Sequence, residues 1–392
     1  MKNLLALVSL LLIVFNSFAF RVVGYFPTWK NFNATDIPYQ KMTHVMISFV
    51  NPYNASGDLS SDNEAKFASI VSEAKKYNTK VFFSIGGAAD NNNWANKPQL
   101  MAEATRGPFI QKLVDYCKKY NFDGIDVDIE GNNLGNPDYP YFLFDVIEAF
   151  HEEGKEVSAA LAPNSYTAKV SKSEAEVFSY LDFLNIMSYD YAGPWSNEGQ
   201  HSPFSRVQQG VDFFTSRGVK KENLVLGVPF YGYDFSKSGA SMYTSYAQIV
   251  NNNTDAENKD KVNKIYYNGI PTIEKKTQYA IDNLDGIMIW ELSQDATGEK
   301  SLLDAIYKLS EPVMSTNSTV TDQDMTYNNP VNDQLIIEAS NNILAVNIYN
   351  LQGQLIRETN DNKIDMSSMS IGIYVVEVST LVGVNRFKVI KQ

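Results

Sequence analysis

The sequence predicts a closed (β/α)8 TIM barrel followed by a linker and a small all-β C-terminal domain. Three observations lead there. Eight short β-rich runs recur between amphipathic stretches in the first three quarters of the chain. The texture then changes to a segment rich in Ser, Thr, Asn, Asp and Pro. Beyond that segment, apolar and polar residues alternate at the period of a strand, with turn signals between the runs.

Residues 1–19 read as an export signal: Lys2 supplies the positive start, residues 4–14 the apolar run, and Ser17-Phe18-Ala19 a small-x-small cleavage site. The apolar run is shorter than the 18 or so residues a membrane anchor needs, and no later stretch is long and apolar enough to span a bilayer. The barrel is assigned to residues 20–310. Its strands are the runs 22–26, 45–49, 81–85, 125–129, 157–161, 181–187, 224–228 and 286–290. The amphipathic stretches are 66–77, 108–120, 141–151, 204–217 and 272–284. Strands alternating with helices imply right-handed crossovers and a parallel sheet, and eight units is the count of a closed barrel. An open doubly wound sheet is the rival, but no glycine-rich phosphate loop follows the first strand.

Residues 311–334 carry little apolar content and read as a linker. Residues 335–392 hold alternating runs at 335–338, 345–349, 354–357, 371–378 and 385–390, separated by turn signals such as Gln352-Gly353 and Asp361-Asn362. The stretches "VNIYNLQGQLIRE", "GIYVVEV" and the terminal "FKVIKQ" resemble the C-terminal sorting domain of the type IX secretion system. That resemblance implies export across an outer membrane by a partner secretion machinery, to the medium or the cell surface. A small carbohydrate-binding β-sandwich is the alternative.

The formal net charge of −12 argues against nucleic acid or an anionic membrane as partner and suits a neutral substrate. Cys117 is the only cysteine, so no intrachain disulfide is possible, and an exported chain must rely on core burial. The three histidines, His44, His151 and His201, show no metal-ligand spacing, and neither metal nor cofactor is expected.

The chemistry concentrates in "FDGIDVDIEG", residues 122–131. On a strand, Asp126, Asp128 and Glu130 share one face while Ile125, Val127 and Ile129 share the other. With the apolar face toward the helices, the acids point into the barrel. Glu130 then ends the strand at the C-terminal rim, where barrel enzymes place their chemistry. Asp123 has the wrong parity and reads as structural. Three crowded carboxylates cannot all ionise cheaply, so at least one pKa should rise and a proton should be shared. A carboxylic acid protonated near neutral pH is what a glycosidic leaving oxygen needs, and residual negative charge would stabilise a cationic sugar. A calcium loop is the other reading of Asp126-x-Asp128-x-Glu130-Gly131, but Pro137 falls where the closing bidentate ligand belongs.

Asp123-Gly-Ile-Asp126-Val-Asp128-Ile-Glu130 resembles the D-x-x-D-x-D-x-E signature of family 18 glycoside hydrolases, the chitinases and endo-β-N-acetylglucosaminidases. "FSIGG" (83–87), "NIMSYD" (185–190), "GVPFYGY" (227–233) and "GIMIWELSQD" (286–295) are similar to the family's third, sixth, seventh and eighth strand segments, in order. The resemblance covers roughly residues 20–310. It implies that Glu130 protonates the leaving oxygen and that the substrate's own acetamido carbonyl attacks, giving an oxazolinium intermediate and retained configuration. Asp128 would orient the acetamido group, with Asp126 sharing a proton behind it. The spacing alone leaves Asp128 open as a direct nucleophile; the family match decides against that. Tyr189 is suited to hold the acetamido oxygen and Asp190 to reach the same sugar, with Met187 packing beneath. Trp290 would be the floor under the reacting sugar, Tyr25 and Tyr231 would line the same pocket, and Trp195 would be a platform for leaving-side sugars.

Three departures bear on the substrate. Asn185 stands where many relatives have glutamine. Ala88 follows Gly86-Gly87 where some carry a tryptophan, which Trp94 could replace. Too few residues separate Tyr231 from Trp290 for a sizeable insertion domain, which favours an open cleft and endo cutting. The expectation is therefore a secreted, monomeric, endo-acting glycosidase on chitin or N-acetylglucosamine oligosaccharides. An endo-β-N-acetylglucosaminidase acting on N-glycan cores is the alternative, followed by a non-catalytic chitin lectin, against which the presence of Glu130 argues.

Overall fold

The computed structural model describes residues 20–88, 98–314, 325–339, 342–350, 355–380 and 383–392. The expected signal segment, the Gln352-Gly353 turn and Trp94 lie outside the described residues. The chain divides into two compact units, the barrel Phe20–Met314 and a tail within Ser315–Gln392.

Eight parallel strands close the barrel: β1 (Arg21–Pro27), β2 (His44–Ser48), β3 (Lys80–Gly87), β4 (Gly124–Ile129), β5 (Glu156–Leu161), β6 (Phe183–Ile186), β7 (Leu224–Pro229) and β8 (Gly286–Trp290). Each neighbours the next in sequence, and β8 closes on β1. Among the described residues, seven α-helices lie within the barrel unit beside or after these strands, among them α1 (Phe67–Lys75), α2 (Glu103–Tyr120), α3 (Tyr139–Glu152) and α4 (Val207–Thr215). The others are α5 (Tyr246–Asn252), α6 (Ile270–Asn283) and α7 (Leu302–Met314). The β1–β2 and β5–β6 crossovers carry only short 3-10 turns, so the helix ring is less regular than eight repeated units imply.

Strand alternation sorts the core into two layers. Val22, Val45, Ile125, Val127, Ile129 and Ile287 belong to the layer between strands and helices. Val23, Tyr25, Met46, Phe82, Phe183, Val225 and Met288 fill the barrel interior. Cys117 is buried on α2, where burial pushes its thiol up to about 12 and leaves it an apolar filler. Asp123 accepts the Val81 amide at 2.8 Å, tying the start of β4 to β3.

Two differences from the sequence reading matter. The segment after β7 forms a small antiparallel sheet in the order Tyr243–Ser245, Tyr231–Asp234, Ile265–Tyr266, Lys261–Val262. Its strands are two to four residues long, too short for periodicity to register. At the other end, residues 311–314 of the expected linker complete α7, while Thr326–Tyr327 already pairs with Gln334–Glu338. The tail itself stacks a three-stranded and a four-stranded antiparallel sheet over Val331, Leu335, Ile337, Val346, Ile348, Val376 and Val378.

Candidate active site

β4 places the acids. Asp126 and Asp128 are buried inside the barrel, and Glu130, one residue past the strand, keeps an extended backbone (φ −124°, ψ 171°) and a partly exposed side chain. The three therefore climb one strand face from core to rim.

Their surroundings differ sharply. The Asp126 Oδ2 accepts hydrogen bonds from Tyr25 Oη (2.7 Å) and Ser84 Oγ (2.7 Å), and its Oδ1 from Ser158 Oγ (2.7 Å) and Asn185 Nδ2 (3.4 Å). Ser84 and Ser158 sit directly opposite Asp126 in the β3–β4 and β4–β5 registers. Burial raises the Asp126 pKa and these donors pull it back. Asp128 has no such support: its Oδ1 is buried without a hydrogen-bond partner. Burial, then the Glu130 charge, then Asp126, hold its carboxyl well above the usual range. Burial and, second, the charge of Asp190 lift Glu130 to about 7.

The close approach of β3 to β4 requires glycine. Gly86 has φ +113°, and a Cβ there would lie 1.9 Å from the Asp128 carbonyl oxygen; at Gly87 (φ +90°) it would meet the Phe49 ring at 2.7 Å.

The loop after β6 supplies the next groups. Tyr189 is buried, and Asp190 adopts a left-handed φ of +61°. The Asp190 Oδ1 accepts from Tyr231 Oη (2.6 Å) and Tyr233 Oη (3.0 Å), with His201 Nδ1 at 3.5 Å. Met187 packs against the interior cluster. Trp290, partly exposed at the end of β8, lies 5.4 Å from the Tyr25 ring and stacks on Phe49 at 5.8 Å and 27°. Trp195 is 63% exposed and meets Tyr233 edge-on at 5.8 Å.

Two of the expected pocket-lining residues are placed differently. Tyr25 is 1% and Tyr231 2% exposed. Their hydroxyls are taken up by Asp126 and Asp190, so each backs a carboxylate instead of facing an open groove. Of the remaining expected residues, Asp126, Asp128 and Glu130 follow β4 from core to rim, Tyr189 and Asp190 interact with the charges of Asp128 and Glu130, Trp290 packs on Tyr25, Met187 packs against the interior cluster, and Trp195 is tied to the group through Tyr233. Sequence reasoning missed the roles of Ser84, Ser158, Tyr233, His201 and Phe49. A lone serine inside each apolar run of β3 and β5 was the available signal for the first two. Among the described residues no group of three or more His, Cys, Asp or Glu could hold a metal ion. What remains is a carboxylic acid still protonated near neutrality beside a buried aspartate. That pair is suited to proton transfer onto a leaving oxygen.

Comparison with known proteins agrees in kind. Residues 21–295 match the model of the glycosyl hydrolases family 18, and residues 325–392 that of a secretion system C-terminal sorting domain. A family 18 chitinase from the chitin utilization locus of Flavobacterium johnsoniae superposes with a TM-score of 0.68 at 35% identity, covering 75% of this chain and 94% of that one. A chitinase of Bacteroides thetaiotaomicron shares the fold at 24% identity and a TM-score of 0.64, over 76% and 98% of the two chains. The Endochitinase of Manduca sexta is 26% identical over 59% of this chain, and Chitinase-3-like protein 2 of Homo sapiens 24% over 80%. The chain spans 48% of the first of these relatives, 96% of the second, and only 15% of the Probable chitinase 10 of Drosophila melanogaster. The matched tail is a type IX secretion sorting domain, which directs the chain outside the cell or to its surface. Among the described residues no helix is long and apolar enough to cross a membrane.

Proposed function

Because the chain belongs to family 18 of the glycosyl hydrolases, we propose that it is a secreted, endo-acting chitinase that cleaves β-1,4-linked N-acetylglucosamine polymers with retention of configuration. The observation that carries this reading is the unequal treatment of the β4 carboxylates: Asp126 surrounded by donors, Asp128 buried and unpartnered on Oδ1, Glu130 at the rim with its pKa raised to about 7. Glu130 donates its proton to the leaving oxygen. The substrate's acetamido carbonyl attacks the anomeric carbon, and Asp128 orients that group and stabilises the oxazolinium charge. Glu130 then draws the proton from the incoming water. Tyr189 holds the acetamido oxygen, Asp190 sets the proton affinity of Glu130, Trp290 underlies the reacting sugar, and Trp195 extends the leaving side.

The test is a side-by-side assay of the purified full chain on a fluorogenic chitotriose and a high-mannose glycoprotein, with product lengths read by mass spectrometry. Release of internal fragments from longer chitin oligomers supports the reading. Cleavage of the glycoprotein alone transfers the assignment to an endo-β-N-acetylglucosaminidase. Tight oligosaccharide binding without turnover points to a lectin.

A further inference from the structure

The loop that carries Tyr189, Asp190, Trp195 and His201 is fastened from outside the site by a buried lysine. Lys276, on α6, is fully buried. Its Nζ donates to three neutral oxygens: Ser202 O (2.8 Å), Ser202 Oγ (2.7 Å) and Asn268 Oδ1 (2.7 Å). An ammonium has three N–H bonds, and all three are used; a neutral amine would leave one oxygen short. Burial draws this lysine down to about 7, only partly opposed by the charge of Asp260. Burying a lysine against neutral oxygens alone is unfavourable, and an apolar side chain would fill the same space at lower cost. Its return therefore lies in what it holds.

Ser202 Oγ, having accepted from Lys276, donates onward to Ser188 O at 2.7 Å, the carbonyl immediately before Tyr189. The Tyr191 amide donates to His201 O at 2.9 Å, closing the neck of the same loop. Asn268 Nδ2 donates back to Ser202 O at 3.1 Å, and Gln200 Nε2 reaches Tyr267 O at 2.6 Å. Residues 188 and 202 are thus stapled together, and the staple is fixed to α6 across 74 residues of sequence.

We propose that Lys276 is a positioning residue: through Ser202 and Ser188 its Nζ fixes the loop of residues 188–202, so that Tyr189 and Asp190 stay beside Asp128 and Glu130. This rests on the glycosidase reading above. If Lys276 sets where Asp190 sits, it also sets how strongly Asp190 holds the proton on Glu130, a consequence that a merely structural lysine would not have.

The experiment compares Lys276→Met and Ser202→Ala in the full chain with Ile70→Val, a buried core change on α1. For Lys276→Met, kcat on the fluorogenic chitotriose should fall about tenfold while KM stays within about threefold. The alkaline limb of kcat/KM should move to lower pH by about half a unit. Amide hydrogen exchange in residues 188–202 should quicken by about tenfold or more. Ser202→Ala should move all three the same way by less, and it decides the matter if Lys276→Met does not fold. Ile70→Val should lower Tm without moving the limb. Loss of Tm in the Lys276 and Ser202 variants, with an unmoved limb and unchanged exchange in 188–202, overturns the proposal. Should the unaltered protein hydrolyse neither substrate, the functional reading falls. The exchange measurement on Lys276→Met then still decides the positioning role, and unchanged protection of that loop defeats it.

Discussion

The most informative single change is Asp190→Asn, read through the pH dependence of kcat/KM. Glu130 must carry its proton to act as an acid, so with its pKa at about 7 activity should fall above neutrality by tenfold per pH unit. The whole rise is 7 − 4.5, or about 2.5 units, with burial the larger cause and Asp190 the second. Removing the Asp190 charge leaves the burial in place. Ionisation of Glu130 becomes easier, and the midpoint moves down by less than half of the total, about one unit at most. Asparagine keeps an Oδ1 that can accept from Tyr231 and Tyr233, so the loop geometry survives. Because Glu130 and Asp128 titrate together, the midpoint belongs to the pair. Initial rates on the fluorogenic chitotriose from about pH 4 to about pH 10 locate it independently of any drop in amplitude. A midpoint that stays put, or moves up, refutes the electrostatic account of the site.

Glu130→Gln should abolish turnover yet leave oligosaccharide binding by calorimetry largely intact; unchanged hydrolysis would remove Glu130 from the mechanism. The same variant should be more stable at alkaline pH. A carboxyl raised to about 7 binds its proton more tightly in the folded state, so folded stability falls as pH rises from about 4.5 to 7 and stays lower above. Glutamine escapes that loss, and Tm at about pH 8 should rise by roughly 2–4 °C. Asp128→Asn should slow turnover by roughly 10²–10³, since it removes the charge proposed to stabilise the oxazolinium; a loss under tenfold counts against that role. Gly86→Ala should destabilise the fold by more than about 3 kcal/mol, because its Cβ would strike the Asp128 backbone at a strained φ. A Tm within a degree of the parent would show that β3 can give way.

The barrel and the acidic row were legible because both depend on local periodicity. Asp126, Asp128 and Glu130 needed only the two-residue repeat of β4 to be placed on one face. Tyr25 and Tyr231 could be assigned to strand ends but not to their hydrogen-bond partners, because Tyr25 and Asp126 are separated by 101 positions and Tyr231 and Asp190 by 41. Asp190 could be placed in the loop after β6 from its motif. Its contact with Tyr233 required the short sheet after β7, whose two- to four-residue strands carry no usable pattern. Lys276 reads in sequence as one more polar residue of an amphipathic helix. Only the fold shows that its face of α6 turns inward onto Ser202.

The donor count explains why one strand can carry three carboxylates and still be useful. Three hydroxyls and an amide converge on Asp126, which is the solvation an ionised carboxylate needs. Asp128, one step higher, has an unpartnered buried oxygen and two acidic neighbours, so its neutral form is favoured. The negative charge is thereby kept low in the barrel and the protons high, toward the rim where Glu130 stands. A substrate that brings a developing positive charge to the level of Asp128 reverses that preference, because the cation compensates a carboxylate that water cannot reach. Asp128 is then more acidic with the cation present than without it, and its interaction is stronger in the transition state than in the ground state, which is the condition for accelerating the chemical step. Replacing Ser158 or Ser84 by alanine would weaken the lower site and pull a proton down to Asp126. The structure therefore links two serines remote from the rim to the charge available at the top of the strand.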